Sequence, residues 1–307
     1  MSKYRIAIGP SSFAQEDDSP LRKLEAAGCE VIDNPFKRRL TEEETIAHLK
    51  GMDGLIAGLE PLNRNVMEAS PQLKAIARVG IGVTNVDFDA AKDHDVKISN
   101  TPDGPVAAVA EMTTTALLTI ARKLIPTNEA LHRKEWSKSV GMGLIGANVL
   151  FIGYGRIGRK TAEILKAFGA NISVYDPYIE AAALTDGESY VADLHTGLAN
   201  ADVVTLHAAG TDCILDGSAF AALKDGAILL NSARGELVDE AALVDALESG
   251  KVSGAWFDAF WQEPYTGPLC DFDQVLLTPH VGTYTRQCRL GMETAAVNNL
   301  LRDLGIE

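Results

Sequence analysis

The segment Asn148–Asp176 constrains this chain more than any other. A short β-rich run, Asn148-Val149-Leu150-Phe151-Ile152, empties into Gly153-Tyr154-Gly155-Arg156-Ile157-Gly158. A helical pattern continues through Phe168. A second apolar run, Ile172 to Tyr175, ends on Asp176, eighteen positions after the last glycine. Strand, glycine turn, helix, strand and acid each have a physical job in holding a dinucleotide. The first glycine allows the tight turn, the second lets a pyrophosphate approach the backbone, and the third packs helix on strand. Free N–H groups and the dipole at the helix start favour the pyrophosphate's negative charge. The carboxylate can accept hydrogen bonds from ribose hydroxyls. Gly153, Gly155, Arg156, Ile157, Gly158 and Asp176 are therefore the expected cofactor contacts. Asp176 repels a 2′-phosphate, and Pro177 follows it in place of an arginine, so NAD is expected over NADP.

At 307 residues the chain is long enough for about two domains. Its hydrophobic fraction of 46% and charged fraction of 23% are those of a globular protein with ample core. A net charge of −14 argues against nucleic acid, whose phosphates need a basic surface. Cys29, Cys213, Cys270 and Cys288 are scattered without metal-type spacing, as expected of reduced thiols in a cytoplasmic enzyme. No apolar run approaches the ~20 residues of a membrane span.

The first hundred residues alternate strand and helix. Strands are expected at Tyr4–Ile8, Glu30–Asp33, Gly54–Ala57, Lys74–Val79 and Val96–Ser99. A helix is expected over Pro20–Ala27, and another opens at Thr41, where Thr41 and Glu44 stand at capping-box spacing. Such alternation makes a parallel sheet covered on both faces. Asn100 to Pro105 is dense in turn-formers and reads as a hinge. Val106–Leu124 then reads as a long helix, apolar on several sides and suited to a subunit interface or to a core. Residues 125–138, with Trp136 amid charges, read either as a segment packed across such an interface or as an irregular cover. From Asn148 a second α/β unit has strands expected at Asp202–Leu206, Ala227–Leu230, Val252–Phe257 and Val275–Leu277. Helices are expected over Gly217–Leu223, Asp239–Ser249 and Arg289–Leu304, and no regulatory module follows. The expected fold is α/β, with two doubly wound parallel-sheet domains. A Rossmann-type cofactor domain at 101–281 is inserted in a flavodoxin-like substrate domain at 1–100 and 282–307.

Arg234, Glu263 and His280 each follow a strand of the second unit, where open α/β sheets bind ligands. Hydride transfer to or from a hydroxyl-bearing carbon requires a proton moved on or off the oxygen. Imidazole suits that task near neutral pH, and a neighbouring carboxylate orients it. A guanidinium grips a substrate carboxylate in two hydrogen bonds, a geometry that lysine does not reproduce. The three side chains suffice to interconvert a 2-hydroxy acid and a 2-keto acid without metal.

Taken together, the motifs resemble the D-isomer-specific 2-hydroxyacid dehydrogenases, most closely the phosphoglycerate dehydrogenase branch in a short form. The matching residues are Arg78-Val79-Gly80-Ile81-Gly82 with Asn85-Val86-Asp87, Asn100-Thr101-Pro102, and the Gly153 to Asp176 turn. They continue through Asn231-Ser232-Ala233-Arg234-Gly235, Gly254 to Asp258, Gln262-Glu263-Pro264 and Thr278-Pro279-His280. The resemblance implies that Arg234 binds substrate carboxylate, that His280 is the general acid/base and that Glu263 is its partner. It implies substrate contacts from backbone N–H groups near Val79 and Gly80, and cofactor contacts at Ala208, Ala233 and Asp258. It also implies a homodimer built on the cofactor domain.

The chain departs from that branch at Gly58-Leu59-Glu60, where many phosphoglycerate dehydrogenases place an arginine available to a substrate phosphate. Arg64 or a lysine is the alternative cation. It also departs at His207-Ala208-Ala209 and Trp256-Phe257. 3-Phosphoglycerate is the leading substrate expectation. Another small 2-keto acid or a phosphonate analogue is the alternative within the enzyme class. A non-enzymatic NAD(H)-sensing protein on the same fold is the alternative outside it.

Overall fold

The computed structural model describes residues 4–306. They divide into two compact units, one running up to Pro105 and resuming at Tyr284, the other spanning Val106–Thr283.

The first unit runs β1 (Arg5–Ile8), α1 (Ser19–Ala26), β2 (Glu30–Ile32), α2 (Glu42–Leu49), β3 (Gly54–Ala57), α3 (Arg64–Glu68), β4 (Ala75–Arg78), α4 (Phe88–Asp93) and β5 (Lys97–Ser99). All strand pairs are parallel, in the order β2-β1-β3-β4-β5. This is the flavodoxin-like order. Leu55, Ala57 and Ile76 pack on one face with Val66, Met67 and Ala90. The C-terminal helix Arg286–Asp303 lies against β3, β4 and β5 and buries Ala296, Val297, Leu300 and Leu301. The capping box at α2 forms as the spacing predicts: the Thr41 hydroxyl accepts from Glu44 N–H, and the Glu44 carboxylate accepts from Thr41 N–H.

The second unit opens with α5 (Pro105–Ala121, its first residue at the boundary) and α6 (Leu124–His132). It continues through β6 (Asn148–Ile152), α7 (Arg156–Ala167), β7 (Asn171–Tyr175), β8 (Glu188–Tyr190), α8 (Leu194–Asn200) and β9 (Val203–Leu206). Then come α9 (Gly217–Ala222), β10 (Ala227–Asn231), α10 (Glu240–Glu248), β11 (Val252–Phe257) and β12 (Val275–Leu277). The sheet is parallel throughout, in the order β12-β11-β10-β9-β6-β7-β8, a doubly wound Rossmann arrangement with β6 as the first strand. Successive side chains alternate between its two faces. Leu150, Ile152, Leu229 and Phe257 enter one core cluster, while Val149, Phe151, Leu230 and Trp256 enter the other with Ala116 and Leu117 of α5. Burial on both faces explains the continuous apolar runs.

Three local expectations are corrected. The long helix stops at Ala121 because Lys123 turns left-handed, at φ +51°. The segment read as an irregular cover begins instead with helix α6. The edge strand β8 and helix α8 were not anticipated, since β8 is largely exposed and lacks an apolar run.

Candidate active site

The glycine turn emerges from the buried end of β6. Gly153 has φ +86°, and a Cβ there would stand 2.4 Å from the Ala208 nitrogen, so the strand extension after β9 touches the turn directly. Above Gly155 nothing lies within 4 Å of where a Cβ would sit. No side chain caps α7 at Gly155, which leaves its first N–H groups facing that open space. The middle residue, Tyr154, is buried: its ring meets Phe151 edge-on at 5.8 Å, and the Arg159 guanidinium lies over it at 4.8 Å. Burial, with the Glu188 carboxylate beside it, drives the Tyr154 phenol well above its ordinary range.

Asp176, at the end of β7, serves the turn as well as any ligand. One carboxylate oxygen accepts from Tyr154 N–H at 2.7 Å and the other from Tyr178 N–H at 2.9 Å. Each carboxylate oxygen has a second lone pair, which leaves acceptor capacity for ribose hydroxyls. His207 stacks on Phe151 at 5.6 Å and meets Thr205 Oγ1 at 3.0 Å. Burial pushes its imidazole down to about 3, so the ring is neutral at physiological pH. The turn, the bare helix start and the acid fit a dinucleotide.

Three loops follow the adjacent strands β10, β11 and β12. Asn231, fully buried at the end of β10, shapes the first: its Nδ2 donates to the Arg234 carbonyl at 2.8 Å, and its Oδ1 accepts from Ala233 N–H at 3.0 Å. Gly235 lets that loop pack against the next. A Cβ at Gly235 would lie 2.2 Å from the Trp261 nitrogen and 2.3 Å from the Phe260 carbonyl carbon. Arg234 Nη1 donates to the Ala233 carbonyl at 2.6 Å.

Glu263 and His280 meet. The His280 Nδ1 stands 2.9 and 3.0 Å from the two carboxylate oxygens. A carboxylate at neutral pH only accepts, so Nδ1 carries a hydrogen and Nε2 is the nitrogen free to exchange a proton. Phe260 N–H donates to Glu263 Oε1 at 3.3 Å and steadies the pair. Asp258, expected as a cofactor contact, is only 3% exposed and is filled from within the protein. It accepts from the Thr278 hydroxyl at 2.6 Å, Val281 N–H at 2.9 Å and Gly282 N–H at 2.8 Å. The sequence offered no signal for these bonds or for the Asn231 bonds, because their partners are main-chain groups and one hydroxyl, that of Thr278, brought into place by the turns.

In the first unit the expected anion-binding amides are differently employed. Val79 N–H donates to the Ala57 carbonyl at 2.9 Å, and Gly80 N–H to Thr101 Oγ1 at 2.7 Å. The first bond extends the β3–β4 pairing and the second closes the turn onto the loop after β5. Glu60 is 2% exposed, with both carboxylate oxygens 3.0 Å from Gly58 N–H, and burial raises its pKa. The Arg78 guanidinium folds onto the Val79 carbonyl, and Arg64 pairs with Asp93 at 2.9 Å.

Residues 114–282 match the family model described as D-isomer specific 2-hydroxyacid dehydrogenase, NAD binding domain. Over 274 residues the chain is 36% identical to D-3-phosphoglycerate dehydrogenase of Methanocaldococcus jannaschii, covering 86% of this chain and 52% of that protein. It thus spans about half the length of the phosphoglycerate dehydrogenases it matches. It is 34% identical to hydroxypyruvate reductase of Thermotoga maritima over 316 aligned positions that cover 100% of both chains. The crystal structure of the TT0316 protein from Thermus thermophilus superposes with a TM-score of 0.89 at 31% identity, over 98% of this chain and 97% of that one. The loops that bring His280 to Glu263 lie within the matched segment, and the match to a relative extends from end to end: the chain belongs to the D-isomer-specific 2-hydroxyacid dehydrogenase family.

Proposed function

We propose that the protein is an NAD-dependent dehydrogenase that interconverts a D-2-hydroxy acid and its 2-keto acid. The observation that carries this reading is the His280–Glu263 pair at 2.9 Å, in the same unit as the glycine turn and Arg234. Bound NAD supplies or accepts the hydride. Gly153, Gly155, Arg156, Ile157, Gly158, Ala208 and Ala233 line its place, and Asp176 selects it over NADP. In the reductive direction, His280 gives its Nε2 proton to the substrate carbonyl oxygen, and Glu263 stabilises the imidazolium that made the proton available. Arg234 grips the substrate carboxylate and polarises the adjacent carbonyl.

The relatives include enzymes named for phosphorylated and for unphosphorylated substrates. 3-Phosphohydroxypyruvate is the first compound to test. Hydroxypyruvate is the second, and a specific observation favours it: Glu60 fills the strand end after β3, while Arg78 and Arg64 are engaged within the protein. The deciding experiment follows NADH absorbance with purified protein against a panel of 2-keto acids containing both. Turnover that His280→Ala abolishes while NADH still binds supports the reading; no turnover with any member of the panel refutes it.

The subunit state and compartment belong to the same proposal. Leu124, Leu131, Trp136, Val140 and Ile145 are exposed within and just after α6, Trp136 by 82%. A run of exposed apolar side chains marks an association surface, and a homodimer through this region would cover it. None of the four cysteines forms a disulfide, which suits the cytoplasm, and no described helix is long and apolar enough to cross a membrane. Light scattering after size exclusion measures the dimer, and Trp136→Glu should shift it toward monomer.

A further inference from the structure

Trp256 and Thr278 have no part in the chemistry above, yet with Asp258 they form a single chain of hydrogen bonds ending on the His280 turn. Trp256 is fully buried, and its Nε1–H donates to Thr278 Oγ1 at 2.9 Å. An indole nitrogen can only donate, and a hydroxyl has one proton to give. That proton goes to Asp258 Oδ1 at 2.6 Å, so the direction is set from indole to hydroxyl to carboxylate. Asp258 in turn receives Val281 N–H and Gly282 N–H, on the far side of His280. His280 itself has φ +55°, a conformation that side-chain-bearing residues rarely adopt, and its N–H closes onto the Thr278 carbonyl at 2.8 Å. Residues on both flanks of the imidazole are thereby tied to one carboxylate. Apolar packing alone does not require a nitrogen where Trp256 stands.

We propose that Trp256 is a positioning residue for proton transfer: its indole N–H fixes the Thr278 hydroxyl on Asp258, and this relay holds the left-handed His280 turn against Glu263. The proposal rests on the reading of His280 as proton donor. Without the indole, the Thr278 hydroxyl is free to rotate away from Asp258, and the turn loses one of its three anchors.

The test is kinetic and uses the full chain. Trp256→Phe keeps most of the ring volume and removes the N–H. Its kcat for keto acid reduction should fall about tenfold, with KM for both substrates nearly unchanged. The solvent deuterium isotope effect on kcat should rise, because proton delivery has become slower. Thr278→Ser, which retains the hydroxyl, should keep more of kcat than Thr278→Val. Trp256→Phe combined with Thr278→Val should be no slower than Thr278→Val alone, since the indole acts through the hydroxyl. Wild-type kcat and isotope effect in Trp256→Phe, or multiplicative losses in the double variant, would overturn the relay. Should Trp256→Phe fail to fold, the Thr278→Val and Thr278→Ser pair decides: equal kcat in both overturns it. His280→Ala is measured alongside. Turnover in that variant overturns both the relay and the proton-donor reading, whereas its loss beside a silent Trp256→Phe sinks the relay alone.

Discussion

The main-chain N–H of Asp258 donates to the carbonyl of Asn231 at 3.0 Å, and this bond carries the β10–β11 pairing one step beyond the sheet. The loop bearing Arg234 and the loop leading to Glu263 therefore start from one fixed point. The Asn231 side chain then sets the first loop through its bonds to Arg234 and Ala233.

Asn231→Leu tests that arrangement. The substitution keeps the branched skeleton of the side chain but removes the partners of the part-buried Arg234 carbonyl and Ala233 N–H. Misplacement of the Arg234 fork should raise KM for the keto acid about tenfold and disturb kcat less. Steady-state kinetics measures both, and an unchanged KM would show that the loop holds its shape without the amide.

Gly235→Ala acts on the neighbouring contact. The added methyl would meet main-chain atoms of Phe260 and Trp261, which have no flexible end to swing aside. The two loops must separate, at a cost of about 1–3 kcal/mol and with loss of activity. Urea denaturation followed by fluorescence reads the stability change. A wild-type midpoint would mean that the loops are not in close contact in solution.

What was legible in the sequence was whatever depends on periodicity and local chemistry. Apolar runs marked the buried strands β6, β9, β10 and β11. Glycine spacing marked the turn at Gly153–Gly158, and Thr41 with Glu44 marked the start of α2. Arg234, Glu263 and His280 were legible because each follows a recognisable strand. Exposed β8 escaped notice because it has no apolar alternation, and α6 because its apolar residues face outward. The duties of Asn231, Asp258 and Thr278 were hidden for a different reason. Their partners lie on other loops or in the main chain, and only the assembled turns bring them within hydrogen-bonding distance. Val79 and Gly80 show the reverse: the family resemblance implied their N–H groups as substrate contacts, and the fold bonds them to the Ala57 carbonyl and Thr101 Oγ1.

Asp176 has two duties that separate variants can distinguish. Asp176→Asn retains an oxygen that can accept from Tyr154 N–H but removes the charge that repels a 2′-phosphate. It should narrow the NADH over NADPH preference while leaving the turn in place. Asp176→Ala removes the anchor too, so it should weaken binding of both cofactors, by about tenfold for NADH. Fluorescence titration with each cofactor measures this. Equal NADH affinity in the two variants would show that the Tyr154 bond contributes nothing to binding.

His207 makes the stability of the second unit depend on pH. The folded protein holds its imidazole at about 3, below the ordinary value of 6.5, because protonation would place a charge between Phe151 and the glycine turn. The unfolded chain takes up that proton near pH 6.5, while the folded chain refuses it until near pH 3. The unfolded state therefore binds more protons across this window, and stability falls as pH falls through it. Above pH 6.5 the contribution is fully present. His207→Phe retains an aromatic ring on Phe151 and removes the titration. Its urea midpoint should be lower than wild type at pH 7.5, because Thr205 Oγ1 loses its partner, but should decline less between pH 7 and pH 5. Parallel declines in the two proteins would show that the folded state accepts the proton.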